Sequence, residues 1–126
     1  GDVNKITIGD RVNIQDGAVI HTLYQRSVTE IGNNVSIGHN ANVHGAKIED
    51  KCLIGMGATV LDHAVVGTGS IVAANSLVLT GTGIEPVSVY AGVPARRVKG
   101  VTPEQVRDII ERTARDYMMY ASWYKE

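Results

Sequence analysis

Aliphatic residues recur every six positions along most of this chain, and that period constrains the fold more than any other feature. Ile8, Ile14 and Ile20 form one run, Ile31, Ile37 and Val43 a second, and Ile48, Ile54, Val60, Val66, Val72 and Val78 a third. Four residues after an aliphatic comes another small or apolar side chain: Val12, Ala18, Val35, Ala41, Cys52, Ala58, Ala64, Ser70 and Ser76. Glycine or alanine often follows the aliphatic directly, as at Gly9, Gly32, Gly38, Gly55, Gly67 and Ala73. An antiparallel sandwich would show two-residue alternation with turns every 8–12 residues. A six-residue period instead describes a short strand plus a tight corner, and three such units make one triangular coil. The aliphatic and the residue four later point inward. Glycine and asparagine supply the corners, where the backbone takes angles that other residues resist. One coil cannot bury its own inner face, so stability comes from stacking coils at the strand spacing of about 4.8 Å. The fold class is therefore an all-β solenoid of parallel hexapeptide coils. The composition agrees, since the chain has no Phe, one Trp and 14 Gly, with its apolar content in Ile, Val and Ala.

Two breaks interrupt the period. Eleven residues separate Ile20 from Ile31, so the five extra ones within residues 21–30 are expected as a loop thrown out of the coil. Five residues separate Val43 from Ile48, a one-residue deletion at a corner. The pattern fades after Val78, and residues 80–86 read as a loop and residues 88–94 as an extended exit. Thr102-Pro103-Glu104-Gln105 then reads as a helix start, with Thr102 as N-cap, Pro103 in the first helical position and Gln105 closing a capping box. Val106, Ile109, Ile110, Thr113, Ala114, Tyr117, Ala121 and Tyr124 follow at three- and four-residue intervals, one face of a helix expected to pack along the coil. The expected division is residues 1–100 for the solenoid with its exit segment and 101–126 for the C-terminal helix. The pattern is already under way at Gly1, and a segment before it is expected.

Three of the four histidines fall within 24 residues. His21 and His44 are each the second residue of a hexad, and three hexads, one full coil, lie between them. They are expected on one face, one above the other. Two imidazoles so placed can share a metal through bonds of about 2.0–2.1 Å. His39 is the third residue of the preceding hexad and belongs to the neighbouring edge of the prism. If all three hold one metal, His39 has to come from another subunit, and a closed homotrimer supplies it. His63, at a corner with no partner in register, reads as structural. Asn13, Gln15 and Asp16 flank the inward Ile14 and are expected to face out near the His21 strand. A carboxamide there can orient a water or substrate, whereas Asn13 and Asp16 serve equally well as corner caps.

Three neutral histidines with an open fourth position acidify a bound water and yield hydroxide near neutral pH. That suits addition of water to a small electrophile such as carbon dioxide. Other chemistries stay open. An acyltransferase or thioesterase working on a CoA thioester could use His21 or His39 as base, and a non-catalytic trimer could use the metal only to fix its assembly. The remaining composition excludes several classes. The net charge is −1 with the two signs interspersed, so no basic footprint for nucleic acid stands out. No apolar run reaches the ~20 residues of a membrane helix. A single cysteine, Cys52, allows no internal disulfide and fits a reducing compartment, so a cytoplasmic location is expected.

The segments NIQDGAVIH (residues 13–21), IGHNANVH (37–44) and IGMGA (54–58) resemble the γ-class carbonic anhydrases and their close homologues. AGVPAR (91–96) resembles the exit from the coil in the wider hexapeptide group. The resemblance spans nearly the whole chain. It implies a left-handed parallel β-helix with a C-terminal α-helix, assembled as a homotrimer. It implies a metal at each subunit interface, zinc or alternatively iron(II) or cobalt, held by His21 and His44 of one chain and His39 of the next. It further implies Gln15 beside the metal-bound hydroxide, Asn13 and Asp16 in the same network, Asp2 lining the site, and Tyr90 near the metal. The substrate pair would be carbon dioxide and bicarbonate. Three departures stand out. The family arginine would precede Gly1 and so is not in this sequence, Val3 replaces a second acid, and the long acidic loop that carries a proton-shuttling carboxylate is reduced to residues 22–30. Slow turnover is expected, because rapid hydration needs proton export.

Overall fold

The structure, a computed structural model, describes residues 6–21 and 28–123, with side chains as far as Thr113. The first coil carries β1 (Ile6–Ile8), β2 (Asn13–Ile14) and β3 (Val19–His21). The second carries β4 (Thr29–Ile31), β5 (Ser36–Ile37) and β6 (Asn42–His44). The third carries β7 (Lys47–Ile48), β8 (Leu53–Ile54) and β9 (Thr59–Val60), and the fourth β10 (Val65–Val66), β11 (Ile71–Val72) and β12 (Leu77–Val78). A fifth, partial coil has β13 (Gly83–Ile84) and β14 (Ser88–Ala91), after which β15 (Arg96–Gly100) and α1 (Pro103–Trp123) complete the described chain.

The strands stack into three parallel sheets, one per face of the prism. Face A is β1-β4-β7-β10-β13, face B is β2-β5-β8-β11-β14 with β15 at its edge, and face C is β3-β6-β9-β12. The register is the hexad register itself: Ile14, Ile37, Ile54, Val72 and Tyr90 stand over one another on face B. The chain is thus a left-handed parallel β-helix of hexapeptide repeats with a C-terminal helix. Inward aliphatics from Ile31 to Val78 are buried, together with Val35, Ala41, Cys52, Ala58 and Ala64. Each such Ile or Val contributes about 1.5–3 kcal/mol relative to an exposed side chain. Cys52 is one of these inward residues. Burial pushes its thiol up to about 12, so it stays protonated, and its Sγ donates to the Gly67 carbonyl at 3.2 Å.

The corners follow a rule that the sequence only hints at. Among the described residues, the third residue after an inward aliphatic has a left-handed backbone at Arg11, Gly17, Asn34, Asn40, Lys51, Gly57, His63, Gly69, Asn75, Gly81 and Val87. His63, with φ of 64°, fills one of these slots. The second coil is one residue short here, and Gly45 takes the left-handed position two residues after Val43.

The helix begins with the capping box. Gln105 N–H donates to Thr102 Oγ1 at 3.1 Å, and Thr102 N–H donates to Gln105 Oε1 at 2.9 Å. The helix packs against β2 and β5 on face B, burying Ile109 and Thr113. Among the described residues no helix is long and apolar enough to cross a membrane.

Two expectations about the exit need correction. Residues 80–86 are not simply a loop, because β13 lies within them and Ile84 is buried over Val66. The repeat therefore runs on through Ile84 and Tyr90, six and twelve residues past Val78. Glycines around Ile84 and an aromatic in the last aliphatic slot hid that continuation. Nor is the segment after Val78 merely an exit, since β14 belongs to face B and turns back in an antiparallel pair with β15.

Candidate metal centre

His21 and His44 end β3 and β6 on face C and are direct partners in the strand register. Their ring centroids lie 3.6 Å apart with the planes at 66°. The hexad count requires this, because both residues immediately follow an inward aliphatic, Ile20 and Val43. The two strand ends are locked together by Thr29, a fully buried residue at the start of β4. Its hydroxyl donates to the His21 carbonyl at 2.9 Å and accepts from Gly45 N–H at 2.9 Å. Gly45 N–H also reaches the His21 carbonyl at 2.9 Å. Thr29 and the shortened corner at Gly45 thus meet at the His21 carbonyl.

Asp62, which the sequence reading passed over, completes the local arrangement. Its Oδ1 lies 3.0 Å from His44 Nδ1, with side-chain exposures of 15% and 26% respectively. The spacing that could have found it is 18 residues, three full hexads, which the deletion after His44 carries one position past the Val43–Val60 register. A carboxylate on one ring nitrogen leaves the other for a metal, the usual partnership of a ligating histidine.

His39 lies at the opposite end of the face C strand, exposed at the corner between faces B and C. Within one chain it does not join the pair. Five residues separate it from His44, up to about 16 Å of extended chain. Gln15 and Asp16 share the His39 corner: the Asp16 carbonyl accepts Asn40 N–H at 3.2 Å, one coil below. Gln15 is half-buried and Asp16 exposed. Asn13 is placed differently from the sequence expectation. It points out of face B, not towards β3, and is 1% exposed where β2 meets the helix. Tyr90 stands on β14 in the fifth coil, three coils from His44, and packs against the core. Asp2 and residues 22–27 lie outside the described residues.

Among the described residues, no three metal-binding side chains converge within the single chain. The pair nevertheless fits a borderline metal such as zinc. It offers two imidazole nitrogens side by side, one of them already oriented by a carboxylate, and one or more further ligands have to come from elsewhere.

Comparisons with known proteins give the wider setting. Residues 45–80 match the family described as "Bacterial transferase hexapeptide (six repeats)". A protein of Methanocaldococcus jannaschii named "Probable carbonic anhydrase" is 57% identical over 115 residues, covering 91% of this chain and 72% of that protein. "Gamma carbonic anhydrase 1, mitochondrial" of Arabidopsis thaliana is 41% identical over 122 residues, covering 93% of this chain but 44% of its own length. Among solved structures, a hexapeptide transferase family protein from Anaplasma phagocytophilum superposes with a TM-score of 0.88 at 35% identity, covering 98% of this chain and 72% of that one.

Proposed function

The chain belongs to the γ-class carbonic anhydrase-like family of hexapeptide-repeat, left-handed β-helix proteins, and from that premise we propose that it catalyses the reversible hydration of carbon dioxide to bicarbonate at a metal centre shared between subunits of a homotrimer. The observation that carries the reading is the His21–His44 pair, in register with ring centroids 3.6 Å apart. It lies on face C, whereas the described helix packs against β2 and β5 of face B. Relatives named carbonic anhydrase support the reaction assigned.

In this reading His21 and His44 of one subunit and His39 of its neighbour hold the ion, which is zinc or alternatively iron(II) or cobalt. When bound there, the ion would lower the pKa of a water towards neutrality, the chemistry that hydration needs. Gln15 shares its corner with His39, so it enters the site from the same subunit as His39. There its carboxamide can both donate and accept, and so orient carbon dioxide and bicarbonate. Asp16, one coil below His39 on that corner, anchors the interface. Asn13 acts from beneath the helix, holding the β2 edge that carries Gln15. Asp2 completes the proposed set; Tyr90, in the inward column of face B three coils from His44, serves the core and not the site. The segment 22–30 replaces a long acidic loop and carries one carboxylate, Glu30, at its end, so proton export would be slow and turnover modest.

Stopped-flow hydration by the metal-reconstituted protein tests this. Activity above that of the His44→Ala variant is expected, and equal rates would overturn it. The matched family and the Anaplasma phagocytophilum structure both carry the name transferase, which favours a second reading, acyl transfer from a CoA thioester with His21 or His39 as base. A trimer that purifies without stoichiometric metal yet binds CoA in calorimetry would select it.

A further inference from the structure

We propose that Asp62 is a positioning residue of the metal centre: its carboxylate accepts the Nδ1–H of His44, fixes that tautomer, and presents Nε2 outward as the ligating nitrogen. The inference rests on the reading of His44 as a ligand and adds the group that aims it.

The geometry comes from unequal corners. In the second coil one residue, His44, separates the inward Val43 from the left-handed Gly45. In the third coil two residues, Leu61 and Asp62, separate Val60 from the left-handed His63. The two corners are nevertheless in register, because His63 N–H donates to the Gly45 carbonyl at 2.8 Å. The extra residue of the upper corner therefore falls directly over the His44 ring. Asp62 is held there from the other side as well, its carbonyl accepting Gly81 N–H at 3.0 Å from the fourth coil. With both backbones tied, the 3.0 Å contact between Oδ1 and Nδ1 is a fixed feature of the stack. Among the described residues His21 has no counterpart built this way. The coil above it is the short one, and the residue that would overhang its ring is the one deleted.

A hydrogen bond from a carboxylate does two things to a ligating imidazole. It selects the tautomer whose free nitrogen faces the metal, and it raises the basicity of that nitrogen. Loss of such a partner typically weakens metal binding about 10–100-fold. A merely structural ion pair would instead change folding and leave the affinity of the folded protein alone.

Cobalt(II) titration against a chromophoric chelator separates these outcomes, using full-length wild type, Asp62→Ala, Asp62→Asn and His44→Ala. For Asp62→Ala we expect binding weakened about 10–100-fold, a shifted visible cobalt spectrum, and an unchanged apo unfolding midpoint. Asp62→Asn keeps an acceptor oxygen and should recover part of the loss. Wild-type affinity and spectrum in Asp62→Ala, with binding abolished in His44→Ala, would overturn this inference alone. Wild-type binding in His44→Ala would overturn the ligand assignment beneath it. Should Asp62→Ala not fold, Asp62→Asn decides: a several-fold loss supports the role and an unchanged affinity rejects it.

Discussion

Faces B and C are built from the same hexads, with the same inward Ile and Val, yet they meet different surroundings. The outward column of face B reads Asn13, Ser36, Leu53, Ile71 and Val89, and the residues after its aliphatics are Gln15, Gly38, Gly55 and Ala73. That surface is low and mostly apolar, and α1 lies on it, burying Asn13 and Ser36. The outward positions of face C are Val19, Asn42, Thr59 and Leu77 in one column and His21, His44, Leu61 and Leu79 in the other. The helix makes its main contacts on face B instead, and Val19 and Leu79 are 45% and 44% exposed. Inward residues make the coil, and outward residues decide what covers it. The chain covers face B with its own helix and, in the proposed trimer, face C with a second copy that brings His39 and Gln15.

The largest effects should come from dividing the proposed site between two chains. His39→Ala and His44→Ala homotrimers should each purify with almost no metal. Subunits of the two variants, denatured together in equal amounts and refolded, should regain metal at about one quarter of the interfaces, the chance pairing in a closed ring of three. Metal analysis reads this directly. No recovery on mixing would mean that His39 does not complete a neighbour's pair. Retention of metal by either variant alone would break the contrast between the faces.

Next come the inward positions, where the two faces should behave alike. Ile54 and Val60 are both fully buried, the first on face B and the second on face C. Truncating either to Ala should cost about 2 kcal/mol or more, Ile54 the larger share. Denaturant unfolding at fixed protein concentration measures it. A difference far beyond the extra methylene would show that the helix reinforces the core on its own side.

These inward positions are also where the sequence was most legible. Each of the twelve aliphatics that define the repeat lies in a strand, and the register followed from counting. The His21–His44 pairing was legible for the same reason, since both residues sit next to inward aliphatics. Legibility failed where period gave way to context. Ile84 and Tyr90 keep the six-residue spacing, but glycine-rich surroundings and an aromatic ring concealed it. Asn13 was expected near β3 because its neighbours Gln15 and Asp16 are at that corner. Its own position in the strand turns it outward on face B, beneath a helix that starts 90 residues later in the chain. Asp62 escaped because its partnership with His44 depends on a deletion whose effect appears only when coils are stacked. The β14–β15 hairpin has no repeat to announce it.

A smaller effect should appear at the helix cap and remain on face B. Thr102→Ala removes the acceptor for Gln105 N–H and should destabilise the protein by about 1 kcal/mol. Metal affinity should be unaltered, because α1 packs on β2 and β5 rather than on the histidine strands. Thermal unfolding with a parallel metal titration tests both statements. A coupled loss of metal would mean that the helix positions Gln15 or His39 through the shared corner.

The smallest effect should be a gain. Val87 holds the left-handed corner slot before β14 with φ of 56°, a conformation that crowds a β-branched side chain. Its backbone is committed there: Val87 N–H donates to the Thr68 carbonyl, and its own carbonyl accepts Val101 N–H, both at 2.8 Å. The side chain is 42% exposed, so little packing offsets the strain. Asn fills the same slot at Asn34, Asn40 and Asn75. Val87→Asn should therefore stabilise the protein by up to about 1 kcal/mol, the lower end of the cost of a left-handed residue. Because Val87 leads into the last strand of face B and bonds to the residue before the helix cap, the gain should add to the loss in Thr102→Ala unless the two sites are coupled. Metal affinity on face C should not move. A destabilised Val87→Asn would show instead that the valine side chain is a packing contact over Gly69, and that the exit to the helix is held by that contact more than by its backbone bonds.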